Sequence, residues 1–152
     1  MIYQRVVRSI LTEAFDGLNR GKIHAVTGKF AATAEHYFIG QHALSGTRRT
    51  SESRQRWYER LLRLFPDICF QIHRIEVAGP PWRTLAIVYW SETNTGTDGV
   101  RTDNEGVNIV EIRFGKVHRV RIYTDTMILT HTLDRLARSG NPDAHASAIV
   151  DP

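Results

Sequence analysis

The sequence predicts an α+β fold, a cone-shaped curved antiparallel sheet packed on three N-terminal helices. Three observations predict it. Apolar residues recur at helical spacing through the first third of the chain. After Pro66 the period changes to the two-residue alternation of strands. The stretch from Glu105 to Thr126 reads as one hairpin, EGVNIVEIRF and KVHRVRIYTDT bent about Gly115. Helices first and an antiparallel meander afterwards place the helices on one face of the sheet. The twist of that sheet would open a pocket between its concave face and the helices.

Taken in order, Ile2, Val6, Ile10, Ala14 and Leu18 mark one face of a first helix over 2–19, widened by Leu11 and Phe15. Asn19-Arg20-Gly21 ends it. A shorter helix follows over 22–30, with Ile23, Val26 and Phe30 inward. Ala34 to Gly40 reads as a short strand or extended arm, and His42 to Gly46 as a loop. Thr50-Ser51-Glu52-Ser53 opens a third helix with capping residues and an early acid. Trp57, Leu61, Leu64 and Phe65 point inward from it, and Pro66 terminates it. Cys69 to Val77 and Leu85 to Glu92 are strands joined by a turn at Gly79-Pro80-Pro81, where Trp82 is expected at the surface. Thr93 to Asp103 is a polar loop before the hairpin, and Met127 to Arg138 is a closing helix. Residues 1–139 are thus expected to form a single domain, with 140–152 as a flexible tail.

Composition narrows the class of function. At 152 residues, 41% hydrophobic and 24% charged, the chain has room for one core. No apolar run is long enough to span a bilayer and no signal-peptide pattern opens the sequence, so a cytoplasmic location is expected. A net charge of +4 comes largely from arginines between Arg48 and Arg63. These are expected to form a solvated helix face, and nucleic acid is not an expected partner. The single cysteine, Cys69, is expected to pack in the interior.

Candidate site residues come from strand parity in the hairpin. The two-residue loop is either Phe114-Gly115 or Gly115-Lys116, and both registers put Asn104, Gly106, Asn108, Tyr123 and Asp125 on one face. A carboxylate, a phenol and two amides around a glycine could orient and protonate a small molecule. Asp125 would serve as general acid or base, or alternatively would cap the closing helix. Tyr123 would hydrogen-bond a substrate oxygen or pack at the rim. Asn104 and Asn108 would orient a ligand carbonyl, and Asn104 could equally satisfy turn backbone. Trp57 would line the cavity, and His36 would reach its mouth from the short arm. Neither His36 nor His42, the histidines that could reach a pocket mouth, has a carboxylate or cysteine neighbour at metal-ligand spacing, so no metal is expected. No cofactor is implied either, since proton transfer needs only a placed acid, base and electrostatics.

The segments LNRGK (Leu18 to Lys22), ALSG (Ala43 to Gly46), RLFPD (Arg63 to Asp67), GPPW (Gly79 to Trp82), Asn104 and RIYTDT (Arg121 to Thr126) resemble the nuclear-transport-factor-2-like superfamily, in particular its SnoaL-like branch. The resemblance spans about residues 3 to 130 and implies a cystatin-like or ketosteroid-isomerase-like α+β barrel. The superfamily includes ketosteroid isomerase, polyketide cyclases, epoxide hydrolases, dehydratases and non-catalytic association domains. The isomerase triad is not retained: its tyrosine falls near Ala14, its base near Tyr37 or Phe38, and its second aspartate near Ile109 or Val110. The SnoaL-like acid/base aspartate falls at a position similar to Asp125. The resemblance implies a small apolar oxygenated ligand with isomerase, cyclase, hydrolase or dehydratase chemistry, or a ligand-binding or association module without turnover. It also implies a homodimer formed through the outer face of the sheet.

Overall fold

The structure is a computed structural model and describes residues 1–151. It is an α+β fold with a six-stranded, curved, unclosed sheet. In chain order the elements are α1 (Ile2–Asn19), α2 (Ile23–Thr27), β1 (Phe30–Phe38), β2 (Gly46–Arg48), α3 (Ser51–Leu64), β3 (Cys69–Ala78), β4 (Thr84–Asn94), β5 (Thr102–Arg113), β6 (Lys116–Thr124) and α4 (Thr126–Arg138). The sheet order is β2-β1-β6-β5-β4-β3. All neighbours are antiparallel except β1 and β6, which run parallel, with one helix and four strands between them in the chain.

The core lies between the inner face of the sheet and the helices. The buried stripe of α1 is Val7, Leu11, Phe15 and Leu18, rotated from the face expected, so that Ile2 and Val6 are exposed. Helix α3 begins with a capping box: Thr50 accepts from the Ser53 amide at 3.1 Å while the Ser53 hydroxyl faces the Thr50 amide. Its Trp57 is almost wholly buried and donates from Nε1 to the Leu44 carbonyl at 2.7 Å. In β4 the even-numbered positions from Thr84 to Asn94 all face inward.

Several expectations change at this level. The arginines are a solvated face only in part: Arg49, Arg56 and Arg63 are exposed, and Arg48, Arg54 and Arg60 are buried. Arg54 of α3 donates to the carbonyls of Ala31, Ala32 and Ala34 on β1, and Arg60 donates to those of Ala43 and Ser147. Arg48 of β2 is fully buried and donates to the Ser45, Gly46 and Ile149 carbonyls and to Nδ1 of His36. A guanidinium carries five donors in one plane, which lets it satisfy several backbone acceptors where chain segments meet. The segment after Gly140 runs back over α3. Its Asp143 pairs with Arg63 at 2.8 Å, its Ala144 and Ile149 are buried, and its Asp151 accepts from Thr50 at 3.0 Å. Cys69, expected inside, is exposed at the first position of β3.

The hairpin differs as well. Phe114 and Gly115 form the loop, both at positive φ (47° and 79°), as a type I′ turn requires. Ile112 pairs with Val117, but Glu111 pairs with Arg119, so His118 is an extra residue in β6. Beyond that bulge the parity of β6 is reversed. Val107 faces Tyr123, Gly106 faces Thr124 and Asn108 faces Ile122.

Candidate functional site

A single bulge decides which hairpin residues reach the interior. Asn104, Gly106 and Asn108 lie on the inner face of β5, together with Ile122 and Thr124 of β6. Tyr123 and Asp125 are on the other side, because one inserted residue moves every later side chain across the sheet. Tyr123 accepts from Arg121 Nε at 2.9 Å and its ring lies 6.1 Å from Tyr37. Asp125 is exposed and caps α4, accepting from the amides of Met127 at 3.0 Å and Ile128 at 3.2 Å. Of the two roles weighed for Asp125, the geometry fits the cap. The six predicted site residues are therefore not one cluster: Asn104, Asn108 and Trp57 line an internal cavity, and Tyr123 and Asp125 do not.

His36 is also displaced from its expected place. It is fully buried, with its ring 4.4 Å from Trp57 and 5.3 Å from Tyr58. Its Nδ1 accepts from Arg48 Nε at 3.1 Å, and its Nε2 has no partner among the described residues. Burial, reinforced by the Arg48 and Arg54 cations, holds its pKa well below the ordinary histidine value, so the ring is neutral. It serves as an acceptor for a buried cation rather than as a group at a pocket mouth.

The cavity occupies about 100 Å³ between the sheet, α1, α3 and α4. Phe15, Phe38, Trp57, Leu61, Trp90 and Val110 dominate its wall. The polar groups that reach it are few, and the lining's cation, Lys29, is turned to Glu13 with its ammonium at 2.7 Å from the carboxylate. Glu92 from β4, Asn104 and Asn108 from β5, and Thr124 from β6 come from adjacent strands. Glu92 and Asn104 are direct cross-strand partners. Tyr58 of α3 adds a phenol with no hydrogen bond among the described residues; burial pushes its pKa up, keeping it a neutral donor.

Each amide has a distinct job. Asn104 donates from Nδ2 to the Asp125 carbonyl at 3.1 Å and accepts from the Glu105 amide, so it holds the junction between β5 and α4. Asn108 accepts from Trp90 Nε1 at 2.9 Å, which leaves its Nδ2 donors unpaired among the described residues. Gly106 makes this contact possible. A Cβ at that position would stand 2.5 Å and 2.6 Å from carbons of the Trp90 six-membered ring, so only glycine lets the indole lie flat across β5.

Glu92 is the group that sequence reasoning missed. It is 9% exposed, its carboxylate oxygens accept only from Asn94 Nδ2 at 3.0 and 3.3 Å, and no cation pairs with it among the described residues. Burial raises its pKa from 4.5 to about 7, and the negative charges of Asp103 and Asp67 push in the same direction. The signal was present in TLAIVYWSETN, where a glutamate occupies the apolar parity of a strand whose other inward residues include Ala86, Val88 and Trp90. The arrangement can present a neutral carboxyl or a carboxylate to a small bound molecule near neutral pH, which is the range useful for proton transfer.

No family model matches this sequence, and no curated protein matches it either. Solved structures do. An NTF2-like protein of unknown function from Burkholderia pseudomallei superposes with a TM-score of 0.75 at 12% identity, covering 84% of this chain and 96% of that one. TerC, co-crystallised with polyporic acid, gives a TM-score of 0.72 at 14% identity over 85% of this chain and 98% of its own. A protein from Jannaschia sp. CCS1, provisionally assigned as a SnoaL-like polyketide cyclase, gives 0.70 at 15% identity over 84% and 91%. At such identities the likeness concerns the path of the backbone and not the chemistry of the cavity. The chain has the nuclear-transport-factor-2-like fold, as its motifs implied.

Proposed function

We propose that the protein binds a small, uncharged, largely apolar molecule bearing an oxygen function inside the cone. One observation carries this reading: a cavity walled by aromatic and aliphatic side chains has a few polar groups, at least two of which lack protein partners. An apolar cavity of roughly 150 Å³ is enough to hold benzene. The present cavity, at about 100 Å³, is of the same order but smaller, which sets a single small ring as the upper limit of what it takes without side-chain movement. That TerC, a protein of the same fold, was co-crystallised with polyporic acid supports an organic ligand for a protein of this fold. The test is calorimetric titration with a panel of uncharged monocyclic compounds. Wild type should bind one or more of them, and Ala14→Leu, which fills the cavity from α1, should abolish the heat without lowering stability. Equal binding by Ala14→Leu would place the ligand elsewhere and refute the proposal.

A second reading, turnover by proton transfer in the same cavity, is favoured by Glu92, the carboxyl that lines it. Glu92→Gln would then retain binding and lose turnover, whereas Asp125→Asn would alter neither. Homodimerisation is part of the proposal, through the outer face of β4, where Leu85, Ile87 and Tyr89 are each about two-fifths exposed. Ile87→Lys should shift the protein toward monomer in sedimentation; a monomeric wild type would discard it.

A further inference from the structure

We infer that Glu92 is the recognition group of the cavity, selecting a neutral ligand whose oxygen accepts a hydrogen bond, and that ligand affinity is set by whether this carboxyl carries its proton. The inference rests on the pocket reading above and adds the chemistry that the pocket selects. A small cyclic ketone is the simplest ligand of that class.

The geometry comes first. Glu92 projects from the inner face of β4 into the same cavity as Asn108, two strand positions along from Trp90 and directly opposite Asn104. Asn104 is occupied by backbone partners, and the Thr124 hydroxyl donates to the Glu105 carbonyl at 2.6 Å. The Asn108 Nδ2 donors, the Glu92 carboxyl and, from α3, the Tyr58 hydroxyl thus remain to meet a ligand. When protonated, Glu92 offers an O–H donor, and with the Asn108 amide it presents donors to the cavity without a competing charge. A ketone oxygen accepts from such donors, and its ring takes the apolar wall. The cation of the lining, Lys29, is already paired with Glu13 at 2.7 Å, so an anionic ligand would gain no free cation there in exchange for its hydration, and a hydrocarbon would leave the donors unpaired.

The surroundings of Glu92 favour the protonated form. On the strands beside it stand Phe70 of β3 and Asn104 of β5, neither of them charged. The charged groups that act on it are Asp103 of β5, paired with Arg101 at 3.2 Å, and Asp67 before β3, which accepts from Thr95. Both are negative. Its own strand contributes only the Asn94 amide. Burial and these two carboxylates together place the proton's release near pH 7. Ionisation would remove the donor and turn lone pairs toward the ligand oxygen, so the preference for a ketone should fade as pH rises through that point.

The experiment compares cyclohexanone with methylenecyclohexane, which has the same shape without the oxygen, and with cyclohexanecarboxylate. Binding is followed by the Trp90 indole N–H resonance between pH 5.5 and 8.5 in wild type, Glu92→Gln and Glu92→Leu. Wild type should prefer the ketone to the hydrocarbon by about fivefold at pH 5.5, the worth of one net hydrogen bond, and lose most of that preference by pH 8.5. Glu92→Gln, which keeps an N–H donor, should keep the preference but make it independent of pH. Glu92→Leu should bind the hydrocarbon at least as well as the ketone. A carboxyl titration should also find the Glu92 midpoint raised by cyclohexanone, because the ligand binds the protonated form. A ketone preference that survives pH 8.5 and the Glu92→Leu change would overturn the inference while leaving the cavity reading intact. Tighter binding of cyclohexanecarboxylate would overturn it too. Failure of all three compounds to bind would overturn both.

Discussion

The burial of Glu92 has a thermodynamic signature that needs no ligand. Below pH 4.5 the carboxyl is protonated in folded and unfolded chains alike, and the site contributes nothing to pH dependence. Above that value the unfolded chain releases the proton while the folded chain retains it up to about pH 7. Over this window the folded state binds more protons, so rising pH favours unfolding. The interval from 4.5 to about 7, at about 1.36 kcal/mol for each tenfold change in proton affinity, amounts to about 3 kcal/mol. Between pH 5 and pH 8 most of it, on the order of 2–3 kcal/mol, is expressed, because at pH 5 the unfolded carboxyl is already partly ionised. The assay is urea unfolding of wild type and Glu92→Gln at pH 5, 6, 7 and 8. All other titrating groups are common to both, so their contributions cancel in the difference. The stability of wild type relative to Glu92→Gln should fall by about 2–3 kcal/mol across the series and level off above pH 8. Parallel curves would show that Glu92 ionises at its ordinary pKa and would refute its desolvation inside the cone.

Asp125→Ala should cost about 1 kcal/mol, the usual value of a lost N-cap, in thermal unfolding. It should leave the ligand affinity of the cavity unchanged, since its side chain lies outside the lining. Gly106→Ala should destabilise by about 2 kcal/mol and displace the Trp90 indole, seen as a changed near-UV signal and loss of the hydrogen-bonded indole proton. Ending the chain after Ser139 removes the Ile149 carbonyl from Arg48, the Ser147 carbonyl from Arg60 and Asp143 from Arg63. Buried guanidinium donors would lose acceptors, so a loss of about 3 kcal/mol or more is expected in denaturant melts; an unchanged midpoint would show that the segment is dispensable and mobile.

Much of the architecture was legible because it depends on periodicity that a single sequence displays. The helices ending at Asn19 and Leu64, the turn at Gly79-Pro80-Pro81 and the hairpin at Gly115 follow from spacing and turn chemistry alone. The site was less legible because it depends on parity, which any inserted residue resets. Nothing in KVHRVRIYTDT marks His118 as the bulge, yet it decides that Ile122 and Thr124, rather than Tyr123 and Asp125, face the cavity. The arginines of α3 were misread for a related reason. Arg54 and Arg60 are inward only because alanine carbonyls of β1 and the final segment of the chain come to meet them, which is long-range information. Glu92 was the one site residue that could have been found, since alternation in β4 puts it on the apolar face without any bulge intervening. A carboxylate there looks like an error in the pattern until the cavity beside it is seen.

The central claim is a ligand-accessible apolar cavity with Glu92 at its polar end. Crystals of the protein under xenon pressure test it most directly, because xenon enters dry apolar cavities and reports their position without relying on a guessed ligand. The account predicts a xenon atom between α3 and the sheet, within contact of Trp57, Leu61 and Val110, and its loss in Ala14→Leu. An interior with no xenon, and with the side chains of Trp57 and Trp90 collapsed onto Val110, would contradict it.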